Sequence, residues 1–113
     1  MIREANQYDI TRLVEIMRQY ASEAPIEILK EPEVQNADHV AQLLFTLIAG
    51  RGFILVDDEY RGMIAALVNP NVWCPSVLEL KELAWWVEPA HRQGSLGGKL
   101  WLEFNKKAQE FIS

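Results

Sequence analysis

HRQGSLGGKLW, residues 91–101, sets three glycines and a serine between an arginine and an apolar pair, and no other stretch of the chain gathers so many small residues so tightly. Upstream, the run LELKELAWWV (78–87) reads as a strand halted by Pro89. Downstream, Leu100, Phe104, Ala108 and Phe111 recur at helical spacing, which predicts a helix over 97–111. The form is strand, small-residue loop, helix start. The first turn of a helix leaves backbone N–H groups unpaired and carries the positive end of the macrodipole. Glycines let a ligand approach those groups without meeting a Cβ. Together they favour an anion, most often a phosphate, with Arg92 at the mouth as a charged partner. A second reading stands beside this one: the glycines shape a turn and let the helix pack closely on its strand. A Walker A loop is excluded because GxxxxGK[ST] is absent, and GxGxxG does not fit either.

Working outward, Ile2–Ala5 reads as a short first strand. Asp9 is the expected N-cap of a helix carrying Ile10, Leu13, Val14, Met17 and Tyr20. Pro25 and Pro32 bracket a loop over 24–35. Asn36 is the expected cap of a second helix with Val40, Leu43, Leu44, Leu47 and Ile48 on one face, ended by Gly50 and Gly52. The period then changes. Phe53–Val56 and Arg61–Val68 flank the polar Asp57-Asp58-Glu59 and predict an antiparallel hairpin, followed by the turn-rich NPNVWCP (69–75). The order β-α-α-β-β-β-α over residues 1–113 describes one α+β domain rather than a doubly wound fold.

Composition narrows the function. Eleven Lys and Arg against sixteen Asp and Glu give a net charge of −5, without a basic run, which argues against nucleic acid or an anionic membrane as the main partner. The lone Cys74 beside Pro75 and the two histidines, His39 and His91, show no metal-ligand or redox spacing, so no metal is expected. No apolar run approaches the ~20 residues of a membrane span and the first residues do not resemble a signal peptide, so a cytoplasmic location is the expectation.

The longer stretch WWVEPAHRQGSLGGKLW (85–101) resembles the signature of the GNAT superfamily, the acyl-CoA-dependent N-acyltransferases. In that family the fourth strand ends in V-x-P-x-x-R, followed by an (R/Q)-x-x-G-x-(G/A) loop and a helix opening on an apolar pair. Val87, Pro89 and Arg92 match the first part, Gly97 the last small position, and Leu100 with Trp101 the pair. Ser95 stands where the family has its middle glycine. The resemblance implies an α+β fold with a mixed, mostly antiparallel sheet flanked by helices. It implies acetyl-CoA as co-substrate, its pyrophosphate held by the amides of Gln93, Gly94, Ser95, Leu96, Gly97 and Gly98 with Arg92 beside them. The backbone of Trp85, Trp86 and Val87 would pair with the pantetheine arm as an added strand, while the two indoles pack on opposite sheet faces.

The implied reaction is acetyl transfer to a primary amine of a small molecule or protein. A base takes the proton of the amine, which attacks the thioester, and an acid reprotonates the thiolate. Glu82 and Glu79 are the carboxylates on the strand before the loop. Three residues apart, they point to opposite faces of an unbroken strand, and a bulge in this strand would change which one faces the cleft. A solvated strand edge is the alternative role for both. Tyr8, Tyr20 and Tyr60 sit outside the C-terminal element that supplies the family's tyrosine acid, so no acid is assigned. That family continues beyond the last helix seen here, so three alternatives stand: a short viral-type or minimal member, a C-terminally truncated relative, or a fragment of a longer enzyme, the open sheet edge being met in the first two by a homodimer or another partner. The competing function is a non-catalytic interaction module on the same scaffold.

Overall fold

The computed structural model describes residues 1–24 and 36–112. Strand β1 (Ile2–Glu4) leads through a single 3₁₀ turn into helix α1 (Ile10–Glu23). Helix α2 (Ala37–Thr46) runs into a wide turn, Leu47–Arg51, and then β2 (Gly52–Asp57), β3 (Gly62–Pro70), β4 (Leu78–Val87) and helix α3 (Leu96–Ile112) follow. The sheet order is β1-β2-β3-β4, and each neighbouring pair is antiparallel. The pairings among the described residues are antiparallel throughout, in keeping with the mostly antiparallel sheet expected. The α+β class and the order of elements agree with the sequence reading.

Both faces of the sheet are covered. Ile54, Val56, Met63, Ala65, Ala84 and Trp86 pack with Leu13 and Ile16 of α1 and Leu44 of α2. On the other face Phe53, Leu55, Ile64 and Ala66 meet Leu100 and Phe104 of α3. Double burial explains why FILV (53–56) is continuously apolar instead of alternating. Each such Leu, Ile or Phe contributes about 1.5–3 kcal/mol of transfer free energy.

Several local expectations are corrected. Asp9 does not cap α1: its side chain makes no cap bond to that helix. Asn6 caps the 3₁₀ turn by accepting the Tyr8 N–H at 2.9 Å. The buried Asp9 carboxylate instead takes the Asn6 N–H, two donors of Arg3 at 2.8 and 2.9 Å and the Tyr60 hydroxyl at 2.6 Å. Gly52 does not end α2. It opens β2, where a Cβ would lie 2.0 Å from the Ala66 carbonyl oxygen, so this strand approach requires glycine. Gly50, at φ +126°, is the residue that ends the helix. Asn36 does cap α2, accepting the His39 N–H at 3.1 Å. The loop expected over 25–35 lies outside the described residues.

Candidate active site at the end of β4

Strand β4 is one of the two edge strands among the described residues, and its last residue pairs with Gly62. The chain then turns through Pro89–His91, with the Glu88 N–H donating to Arg61 O at 2.7 Å and the His91 N–H to Glu88 O at 2.8 Å. The Gly94 N–H is spent on His91 O at 3.2 Å. The first amide of α3 to find an acceptor is that of Lys99, bonded to Ser95 O at 3.0 Å. Among the described residues nothing accepts from the N–H groups of Gln93, Ser95, Leu96, Gly97 or Gly98. Of the amides read as an anion cradle, all but that of Gly94 are open.

The surroundings of the glycines bear on the packing reading. Gly50 and Tyr60 have positive φ, whereas Gly94, Gly97, Gly98 and Ser95 do not. A Cβ on Gly98 would meet nothing within 4 Å, one on Gly97 would sit 3.6 Å from Val87 Cγ2, and one on Gly94 3.5 Å from His91 O. These are ordinary contacts or empty space. Neither turn geometry nor helix packing demands glycine at these positions, and Ser95 carries no left-handed penalty.

Arg92, read as a charged partner of the phosphate, has two partners within the chain. Its Nε donates to Val87 O at 2.7 Å, and Nη2 pairs with the Glu23 carboxylate at the end of α1. It ties the helix to the strand end. A 590 Å³ groove on the α3 side gathers the Met1 amine, Arg61, Lys99 and Lys106 against Asp57 and Glu103 and adjoins Gly94, Ser95 and Leu96. Arg61 is held by Asp57 at 2.9 Å, whereas Lys99 forms no ion pair among the described residues. The fold thus assembles the local positive surface that no run of sequence displayed.

Trp85 and Trp86 do face opposite ways. Trp85 stacks on Trp101 of α3, ring centres 5.2 Å apart, and Trp86 is buried on the α1/α2 face. Between the end of α1 and the end of β4 lies a cleft of about 190 Å³, walled by Tyr20, Glu23, Trp85, Trp86 and Val87.

The β3–β4 register slips between Ala65, opposite Ala84, and Ala66, opposite Glu82, leaving Leu83 as the extra residue of a bulge. The bulge lies beyond both carboxylates: Glu79 to Glu82 keep a continuous register with Asn69 to Ala66, so the two point to opposite faces of the strand. Glu79 accepts from the Asn71 side chain, whose own oxygen receives the Trp73 and Cys74 N–H groups. It is bound into the β3–β4 turn. Glu82 reaches solvent, yet burial of its carboxyl raises its pKa. Burial also raises the pKa of Tyr20, and the charge of Glu82 adds to that shift. Tyr20 was set aside because of its position in the sequence. The packing of α1 over β4 brings it to the cleft.

No helix among the described residues is long and apolar enough to cross a membrane. No family model and no curated protein matches the sequence. Solved structures do. A GCN5-related N-acetyltransferase from Ralstonia eutropha superposes with a TM-score of 0.77 at 21% identity, over 99% of this chain and 78% of the other. A ribosomal-protein-alanine N-acetyltransferase from Brucella melitensis gives 0.70 at 20% identity, over 97% and 67%. An aminoglycoside acetyltransferase from an uncultured soil metagenomic sample gives 0.68 at 12% identity, over 100% and 74%. The chain has the fold of the GCN5-related N-acetyltransferases.

Proposed function

We propose that this protein transfers an acetyl group from acetyl-CoA to a primary amine. One observation carries the reading. Five amides at the start of α3 lack acceptors among the described residues, within a loop whose glycines the fold itself does not need. A diphosphate fits both facts, since it supplies several acceptor oxygens to a helix N-terminus and requires a bare backbone to reach them. The cationic groove beside Lys99 suits the remaining phosphate of coenzyme A, and the free edge of β4 suits its amide-bearing arm.

In this reading the amine enters the cleft at the end of β4. Glu82 takes its proton, the nitrogen attacks the thioester carbon, and the C–S bond breaks as the tetrahedral intermediate collapses. Tyr20, kept protonated by burial, returns a proton to the departing sulfur. Its phenolate recovers the proton held by Glu82, so the cycle closes. A location in the cytoplasm, where acetyl-CoA is made and used, belongs to the same proposal.

A second reading rests on the β3–β4 turn. Val72 and Trp73 are 89% and 93% exposed, and Val77 and Leu78 continue this apolar surface toward the open β4 edge. Such a surface suits a binding module, or a homodimer or other partner that extends the sheet. Thermal melting separates the two. A transferase is stabilised by millimolar acetyl-CoA and releases thiol when an amine is added. An unmoved melting temperature rules out the proposal.

A further inference from the structure

We infer that the edge of β4 over residues 78–82 pairs antiparallel with the same segment of a second copy, in the register that sets Leu80 opposite Leu80 on a two-fold axis. The inference neither needs nor opposes the acetyl-transfer reading. Among the described residues β4 has a neighbour, β3, on one side only. Hydrogen bonds at its two ends show which backbone groups point outward. At the turn the Asn71 N–H donates to Val77 O at 2.8 Å, so Val77, Glu79 and Lys81 bond toward β3, while Leu78, Leu80 and Glu82 direct N–H and C=O away from it. At the other end the Glu88 N–H donates to Arg61 O, so Ala84 and Trp86 bond toward β3 and Trp85 and Val87 face out. The outward set thus passes from even to odd numbers at the Leu83 bulge. The even stretch is bounded by the turn on one side and the bulge on the other, and its midpoint is Leu80.

Charge selects the same register. A closed pair of identical strands turns about one residue of each. Centring on Glu79, Lys81 or Glu82 sets like charges face to face, and centring on Leu78 runs the pairing into the turn. Centring on Leu80 engages all three outward residues of each copy, and Glu79 then lies opposite Lys81 of the second copy on both sides of the axis. These are non-hydrogen-bonded positions, where side chains approach most closely. Leu80 packs on the cluster under α3, and Leu78 shares its face by the period of two, so the leucines of both copies form one row. Leu78, Glu79, Lys81 and Glu82 are exposed, which leaves room beside them for another strand. Charges and bulges on an edge also serve to keep it unpaired. Here the charges attract in the one register that the turn and the bulge centre. Trp85 and Val87 lie beyond the bulge and stay outside the pairing.

Analytical ultracentrifugation across a wide concentration range tests this, and a reversible dimer is expected. Lys81→Glu brings carboxylates face to face on both sides of the axis, and Glu79→Lys does the same with ammonium groups. Each should weaken association about tenfold or more. Lys81→Glu leaves the bond between Glu79 and Asn71 in place, so its effect is not one on the turn. Mixing the two variants should restore the dimer as a heterodimer, because each copy then meets opposite charge. Should a variant fail to fold, hydrogen exchange on the wild type decides. The amides of Leu78, Leu80 and Glu82 should gain protection as concentration rises, and that of Trp85 should not. A monomer at every concentration overturns the inference. So does a dimer that neither variant weakens, or one in which those three amides exchange as they do in dilute protein.

Discussion

The double substitution Gly97→Ala with Gly98→Ala should make the protein more stable and a poorer binder. Both residues lie in the first turn of α3 without positive φ, and their added Cβ atoms meet Val87 Cγ2 at 3.6 Å and nothing, respectively. Where glycine is not required, replacing it by alanine gains about 0.5–1 kcal/mol per site, chiefly by restricting the unfolded chain. The pair should therefore add about 1–2 kcal/mol, or about 4–8 °C in melting temperature for a domain of this size. The same two methyl groups stand where a diphosphate must approach. Losing one hydrogen bond to a charged oxygen costs about 1.5–3 kcal/mol, hence at least about tenfold in affinity. One melting experiment reads both effects. Acetyl-CoA at 100 times the wild-type Kd stabilises by about 2.7 kcal/mol; for a tenfold weaker variant the same concentration gives about 1.4 kcal/mol. A variant with a higher apo melting temperature and a roughly halved ligand shift is expected. If the apo protein gains stability and the ligand shift is undiminished, the glycines are not there for a ligand. If the apo protein melts earlier, the conformational argument is wrong.

Glu82→Gln should lower turnover by about 10²-fold with little change in acetyl-CoA affinity, while Glu79→Gln, whose carboxylate serves the Asn71 turn, should keep most of its activity. Steady-state kinetics with a thiol-release assay reads both, and full activity in Glu82→Gln refutes its assignment as base. Tyr20→Phe should reduce kcat about tenfold or more while the acetyl-CoA melting shift is preserved. The Arg3 guanidinium holds the Asp9 carboxyl well below the usual carboxylate range, and Arg61 does the same for Asp57. Folded values depressed in this way contribute stability that is present above an unfolded pKa of about 3.9 and lost as pH falls below it. Asp9→Asn should therefore destabilise at neutral pH and flatten the acid limb of the stability–pH curve, as measured by urea unfolding between pH 7 and 3. Gly52→Ala, with its Cβ 2.0 Å from a backbone oxygen, should cost more than about 2 kcal/mol in the same assay. A neutral result there contradicts the β2–β3 register.

Much of the architecture was legible in the sequence because local signals set it. The run 78–87 carried its own stop at Pro89, Asn36 its own cap, and the apolar stripes of α1 and α3 their own period. These depend on neighbours a few residues away, which a sequence displays directly. The remainder depends on which surfaces meet. Asp9 resembled a helix cap by its position, and only the arrival of Arg3 from β1 and Tyr60 from the β2–β3 turn made it a buried ion-pair centre. The pairing of Arg92 with Glu23, 69 positions away, depends on the packing of α1 against the end of β4. Tyr20 lay in a helix that gave no hint of its proximity to β4, and the Leu83 bulge depends on the register with β3. The small residues of 94–98 show the division most clearly. Their composition announced that side chains were unwelcome, but composition cannot distinguish an internal contact from an external one. That the fold itself leaves room for a Cβ at Gly94, Gly97 and Gly98, with ordinary φ, could be read only from the structure, because steric demand is a property of what surrounds a residue rather than of the residue itself.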